Sequence, residues 1–300
     1  MFNMPLVSFV VTSYNYEKFI EQTLDSIVNQ SYKNYEIIVV DDCSSDNSVS
    51  VIERFIAINQ DKRITLITHS KNKGQLASML DGLHIAQGEF VSFVDSDDVI
   101  VKEYTKAHLR VHMAECVAFT SSQVIEIDEN NTIHTTHSIY SPQENIEKEP
   151  PKLENILDVD IDNINYKILK NKRFGGWFWS PNSSAMFRKS AIEIVLKYKW
   201  VDKWRICPDK FLFNFANLIG GSAIIYAPLV GYRRHQSNAG CGNYICGNSK
   251  YPSDKTSFNN LKNNIKIRPE TLKFLIANKK DFIEKFGLRG YVKFLFKVIL

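Results

Sequence analysis

Residues 88–100 read GEFVSFVDSDDVI. An apolar run of strand length ends directly in three carboxylates, Asp95, Asp97 and Asp98, and a second apolar pair follows them. Like charges at the end of a buried strand repel one another and lose solvation, so the cluster is unfavourable unless a cation or a catalytic duty offsets it.

Working outward, three upstream runs have the same build: LVSFVVT (6–12), YEIIVVD (35–41) and RITLITH (63–69). Between them, 16–30, 46–59 and 74–87 space their apolar residues as one helical face would, and DDCSSDNS and NKG supply capping and turn residues before the later two. Strand alternating with helix predicts an α/β fold with a mostly parallel sheet flanked by helices, and ligands at the carboxyl ends of its strands. Each strand ends in polar residues: Thr12, Ser13 and Asn15; Asp41 and Asp42; His69 and Asn72; then the acidic cluster. These should converge on one rim.

Further along, a helix is expected at 100–113, then paired antiparallel strands in ECVAFTSSQVIEID and TIHTTHSIY. Residues 141–172, polar and rich in Asn, Glu and Pro, read as an insertion or mobile loop. Helices at 189–198 and 208–219 and a closing strand pair in SAIIYAPLVGYRRH complete the pattern.

The 300 residues, 44% hydrophobic and 23% charged, suffice for a substantial core. No apolar run approaches the roughly 18 residues of a spanning helix, and the first residues lack a basic leader and a cleavage site, so a cytoplasmic protein is expected. Five cysteines, odd in number and mostly dispersed, suit reduced thiols; the C-x4-C of Cys241 and Cys246 is not by itself a zinc spacing. The net charge of +4 is uneven: residues 261–300 hold ten Lys/Arg against three Asp/Glu. No nucleic-acid partner is expected.

A doubly wound sheet first suggests dinucleotide chemistry, but TSYNYEKF follows the first strand without G-x-G-x-x-G, and no G-K-[ST] loop occurs. Carboxylates at the rim suit a hard divalent cation, Mn2+ or Mg2+, itself suited to a diphosphate.

On VSFVVTSYNYEKFIEQTLDSIVNQSYKNYEIIVVDDCSSDNS followed by GEFVSFVDSDD, the chain resembles the inverting GT-A glycosyltransferases of family 2, from about Pro5 to Asn238. The resemblance implies a GT-A-like fold and a hexosyltransferase acting on a nucleoside-diphosphate sugar, UDP foremost, with dTDP and GDP open. A glycan or lipid-linked acceptor and a role in bacterial surface polysaccharide assembly follow from the same likeness.

By that resemblance Thr12, Ser13, Tyr14 and Asn15 wrap the nucleotide, Asp42 hydrogen-bonds the base, Asp95 meets the ribose and Asp97 binds the metal. Asp98 either supports them, contacts the sugar or acceptor, or caps the next helix. Asp209 in CPDKFLFNFANL is the candidate base, although an Asp behind Pro208 also serves a helix dipole. GYRRHQSN matches a closing Y-R-x-H element, which brings Arg233 to the diphosphate side and His235 to the metal; a solvated strand end is the alternative. Trp177 and Trp179 either stack on a sugar, with Gly175 and Gly176 allowing close approach, or belong to the core.

Where many relatives carry Arg-Asn, this chain has Met79 and Leu80, with Lys71 or Lys73 placed to compensate. His108 and His112, four apart on a helix without an acidic partner, read as surface residues. The division expected is a catalytic domain over 1–240 and a basic amphipathic helical extension over 241–300, which either lies on an anionic membrane surface at the inner face of the plasma membrane or packs on the domain. A sugar-nucleotide-forming nucleotidyltransferase and a non-catalytic carbohydrate-binding protein on the same fold are the rival readings.

Overall fold

The computed structural model describes residues 4–60, 62–135, 159–169, 174–175, 178–179, 181–235 and 266–300. Its first half is the predicted alternation: β1 Val7–Ser13, α1 Ile20–Val28, β2 Tyr35–Asp41, α2 Ser48–Ile58, β3 Ile64–Thr68, α3 Gln75–Ile85 and β4 Phe90–Asp95. β1 lies between β2 and β4 and runs parallel to both, which leaves it buried along its whole length. Covered on both faces, it has no need of alternation, and VSFVVTS accordingly reads as a nearly solid apolar run.

Beyond β4 come β5 Val99–Ile100, α4 Tyr104–Ala114, β6 Phe119–Ile127, β7 Ile133–Thr135, β8 Tyr166–Leu169 and β9 Ala185–Arg188. Then follow α5 Lys189–Ile192, α6 Asp209–Gly220, β10 Ser222–Arg233, α7 Ile267–Ala277 and α8 Lys279–Ile299. The sheet order is β3-β2-β1-β4-β9-β6-β10-β5, with β7 on β6 and β8 on β10. It is parallel through β3-β2-β1-β4, and β9 enters antiparallel to both β4 and β6. The fold is therefore mixed α/β with a helix-flanked central sheet, as expected.

Three local expectations change. Residues 166–169, assigned to the 141–172 loop, form a strand antiparallel to β10. The closing strand pair is one strand, β10, with irregular register between Ile225 and Val230, where Pro228 interrupts the ladder. The helix at 189–198 tightens after Ile192 into a 3-10 turn over Glu193–Lys197.

Asp46 accepts the Ser48 amide at 3.0 Å, so DDCSSDNS satisfies one donor in the first turn of α2, while Asn47 at the N-cap makes no side-chain capping bond. At the start of α3, Gly74 has φ 92°, and a side chain there would put its Cβ 2.8 Å from Arg205 Cα. Both the left-handed backbone and the close approach require glycine.

Two apolar clusters cover the sheet. One joins β1, β2 and β4 to α1, α2 and α4. The other, on the opposite face, holds α3, α6 and both carboxyl-terminal helices. Helix α6 is buried nearly all round: Phe213 packs on Phe119 and Phe187 with centroids 5.2 and 5.6 Å apart, while Phe215 meets Phe274 at 5.4 Å and Phe282 at 6.1 Å. Each such ring contributes roughly 1.5–3 kcal/mol of burial, so α6 bonds the sheet to α7 and α8. The expected extension thus packs one face on the body; the boundary placed for it near residue 241 lies outside the described residues.

His108 and His112 are buried, not on the surface. His108 Nδ1 lies 2.6 Å from Thr120 Oγ1 and His112 Nε2 donates to the Met186 carbonyl at 3.0 Å, partners the helix alone could not reveal. Cys43 and Cys116 are exposed free thiols; Cys241 and Cys246 lie outside the described residues. No described helix is long and apolar enough to cross a membrane.

Candidate active site

Register builds the rim. Thr12 pairs with Asp95 and Ser13 with Asp41, so the ends of β1, β2 and β4 arrive at the same level. The Asp42 amide donates to the Ser13 carbonyl at 2.8 Å, and the His69 amide to Asp41 at 2.9 Å, which draws in the end of β3. Thr12 and Ser13 are buried, Tyr14 is exposed, and Asn15 takes φ 61° with its side chain accepting the Ser45 amide at 2.8 Å.

Asp42 is nearly enclosed. Its carboxylate accepts the amides of Lys73 and Gly74, both at 2.7 Å, and faces His69 Nδ1 at 2.8 Å. His69 Nε2 in turn lies 2.9 Å from Asp81, whose carboxylate also accepts the Lys73 ammonium at 2.9 Å. Asp42 therefore holds the 69–74 turn in place, a duty additional to the base contact expected of it. Lys73 is paired with Asp81 on the surface, and Met79 and Leu80 face the core.

The acidic loop is tightly organised. Asp95 accepts from Gln75 Nε2 at 2.8 Å and Asn182 Nδ2 at 3.2 Å, and its amide donates to Ser183 Oγ at 3.0 Å. Burial, and then the neighbouring charges of Asp97 and Asp209, push its carboxyl up to about 7. Asp209, at the first position of α6, is thus close enough to act on Asp95 electrostatically. Its own Oδ1 accepts the Lys210 amide at 2.9 Å, which serves the helix start.

Asp97 Oδ2 lies 3.0 Å from His235 Nε2, with both side chains buried. His235 sits between Phe19, 4.8 Å away, and Tyr16, 5.7 Å away. The Tyr16 phenol is held well above its ordinary range by burial and by the Asp97 and Asp95 charges. Residues Asn15, Tyr16, Phe19, Asp46, Glu129 and His235 line a cavity of about 420 Å³ beside this pair.

Two expectations are corrected here. Arg233 does not reach toward a diphosphate: its guanidinium, fully buried, donates to the Asp97 and Asp128 carbonyls at 2.8 Å each and to Gln22 at 2.9 Å, over the Phe19 ring. Asp98 is not a sugar or acceptor contact: it is fully buried and accepts Ser183 Oγ at 2.6 Å and the Arg233 amide at 3.0 Å. Burial first, then Asp97 and Asp95, keep its carboxyl well above the usual range. Both residues shape the loop that presents Asp97.

Trp179 is likewise core, with its indole donating to Ser222 at 3.0 Å and packing on Phe119 and Phe213. Trp177 and Gly176 lie outside the described residues. The sequence reading missed Gln75, Asn182, Ser183 and Tyr16. PNSS at 181–184 was the available signal, a small polar run directly before a buried strand.

Among the described residues no three His, Cys, Asp or Glu are grouped to hold a metal on their own. Asp97 and His235 nevertheless fit one: the carboxylate oxygen suits Mn2+ or Mg2+, and the imidazole nitrogen favours Mn2+ of the two, with phosphate oxygens and water to complete the shell. Ser13 Oγ, Ser96 Oγ and Asn182 Oδ1 are buried around the same rim without a hydrogen-bond partner among the described residues, as a site lacking its polar ligand would leave them.

The family model described as Glycosyl transferase family 2 matches residues 8–195. The putative teichuronic acid biosynthesis glycosyltransferase TuaG of Bacillus subtilis is 36% identical over 116 residues, 39% of this chain and 45% of that protein. The UDP-Glc:alpha-D-GlcNAc-diphosphoundecaprenol beta-1,3-glucosyltransferase WfgD of Escherichia coli is 34% identical over 128 residues, 43% of this chain and 49% of that one. The chain spans about half the length of these curated relatives. Among solved structures, the mannosyltransferase PcManGT of Pyrobaculum calidifontis, in complex with GDP-Man and Mn2+, superposes with TM-score 0.54 over 99% of this chain and 74% of its own, at 16% identity. That likeness carries the fold.

Proposed function

This chain belongs to glycosyl transferase family 2, and on that footing we propose that it transfers a sugar, with inversion, from a nucleoside-diphosphate donor to a glycan or lipid-linked acceptor during assembly of a bacterial surface polysaccharide. The observation that carries the reading is the meeting of Asp95, Asp97 and His235 with Asp209 at one rim. The relatives' names support the donor and acceptor classes: UDP-Glc and a diphosphoundecaprenol acceptor in one, teichuronic acid synthesis in another. UDP is the first expectation, with dTDP and GDP as the other carriers. We place the reaction in the cytoplasm, where nucleotide sugars are made.

Asp97 and His235 would hold the divalent cation, which when bound offsets charge on the departing diphosphate. The chain's own groups supply the rest. Thr12, Ser13, Tyr14 and Asn15 enclose the nucleoside, Asp42 meets the base, and Gln75 and Asn182 aim Asp95 at the ribose. Arg233, Asp98 and Ser183 keep the Asp97 loop in one conformation, so little reorganisation is needed when the donor arrives. Asp209 takes the proton of the acceptor hydroxyl as that oxygen attacks the anomeric carbon from the face opposite the diphosphate.

The test is a transfer assay with UDP-glucose, Mn2+ and N-acetylglucosaminyl diphosphoundecaprenol, repeated with dTDP- and GDP-sugars, with the product linkage read by NMR. A β-linked product from an α-configured donor supports the proposal. An α-linked product, or donor turnover unchanged in Asp209→Asn, contradicts it.

A further inference from the structure

The carboxyl-terminal half of α8 follows a break at Gly287, where φ is 72° and ψ 162°. Its inward side, Tyr291, Phe294 and Val298, is buried against the body. On the outward side Leu288, Val292, Phe296 and Ile299 stand 60%, 39%, 60% and 62% exposed. Spacings of four, four and three residues align them as one apolar stripe along the helix. Arg289, Lys293 and Lys297, each one position after a member of the stripe, run along its edge at four-residue intervals. From Lys285 to Leu300 there is no Asp or Glu.

An ordinary solvated face would mix charges of both signs and carry no apolar row, and a helix packed for stability alone would bury its only apolar side. This segment has two apolar sides, one already buried in the core. Partial burial, and then the Lys293 charge, lower the Lys297 ammonium below its ordinary range, a crowding of cations that a negative surface would relieve. Apolar side chains that can enter the acyl boundary, edged by cations at headgroup level and free of acids, are complementary to anionic lipid.

We propose that the Leu288–Val292–Phe296–Ile299 face of α8, with Arg289, Lys293 and Lys297, docks the protein on an anionic phospholipid surface. The inference rests on α8 and not on the transfer reaction. It has a geometric consequence for the site, because Phe274 and Phe282 of the two terminal helices pack on Phe215 of α6, whose first residue is Asp209. Docking through α8 fixes the orientation of α6 to the lipid plane.

The experiment is co-sedimentation of the full chain with vesicles of phosphatidylglycerol and phosphatidylcholine, and with phosphatidylcholine alone, alongside sedimentation velocity without lipid. The expected result is binding to the anionic vesicles only, weakened about tenfold or more in Arg289→Glu/Lys293→Glu and in Leu288→Ser/Phe296→Ser. Arg289 and Lys293 are exposed, so the charge variant keeps the fold even if the apolar one loses it, with far-UV circular dichroism as the check. No partition onto anionic vesicles, equal partition onto both kinds, or binding indifferent to the charge reversal overturns the proposal. Self-association that Leu288→Ser/Phe296→Ser abolishes, without vesicle binding, assigns the face to a second copy and overturns it equally.

Discussion

His235 Nε2 lies 3.0 Å from Asp97 Oδ2, although the two residues are 138 positions apart in the chain. Arg233, two residues before His235, is bonded through its own side chain to the Asp97 carbonyl. The end of β10 therefore brings the histidine and fastens the loop it meets, so the two residues proposed to hold a cation are already side by side in the fold.

Asp97→Ala is expected to abolish Mn2+-dependent nucleotide binding, and His235→Ala to weaken it at least about tenfold. Isothermal titration with and without EDTA measures both. If His235→Ala binds nucleotide as the parent does, the histidine is not a metal ligand.

Asp209→Asn should leave nucleotide affinity within error of the parent and lower transfer by about 10²–10⁴. The amide keeps the contact with the Lys210 amide, so a helix-start role alone predicts no such loss. Unaltered transfer would return Asp209 to that role.

Arg233→Met removes three donors from the Gln22 side chain and the carbonyls of Asp97 and Asp128, and leaves Asp98 without its nearby cation. Loss of one partner from a buried charged network costs about 3 kcal/mol or more. Urea unfolding should show that loss, with nucleotide binding falling as the loop loosens; a change below about 0.5 kcal/mol would place Arg233 outside the network.

His108 and His112 give the protein an acid limb. Burial keeps both neutral in the folded state, His112 down to about 3 and His108 well below its ordinary value. The unfolded chain takes up these protons near pH 6.5, so it binds more protons than the native state below that point and stability falls as pH drops from about 6.5 toward 3. Each histidine adds a slope of up to about 1.4 kcal/mol per pH unit. Asp95 and Asp98, whose carboxyls burial raises, act in the opposite sense, so the informative quantity is the difference between the parent and His108→Gln/His112→Gln. That difference should narrow as pH falls from 6.5; a constant difference would mean the histidines are protonated when folded.

The alternation of strands and helices was legible because parallel strands covered on both faces need solid apolar runs, and VSFVVTS and YEIIVVD are such runs. The rim was legible for the same reason: polar residues directly after a buried strand have one place to be. What escaped was set by distant pairing. Nothing local shows that Arg233 turns inward, that Asp98 meets Ser183, or that Thr120 and the Met186 carbonyl await two histidines. Residues 166–169, YKIL, too short to stand out at the end of a polar stretch, become a strand by pairing with β10. Trp179 went to the core because α6 brought Phe213 against it.

On the proposed function, the acidic rim binds a nucleoside diphosphate through a metal held at Asp97. Calorimetric titration of UDP, dTDP and GDP into the protein with Mn2+, with excess EDTA, and into Asp97→Ala tests it most directly. The expected result is that one nucleotide binds with Mn2+ and that EDTA and Asp97→Ala each remove the binding. Binding of none of the three, or binding indifferent to both EDTA and the substitution, would contradict it.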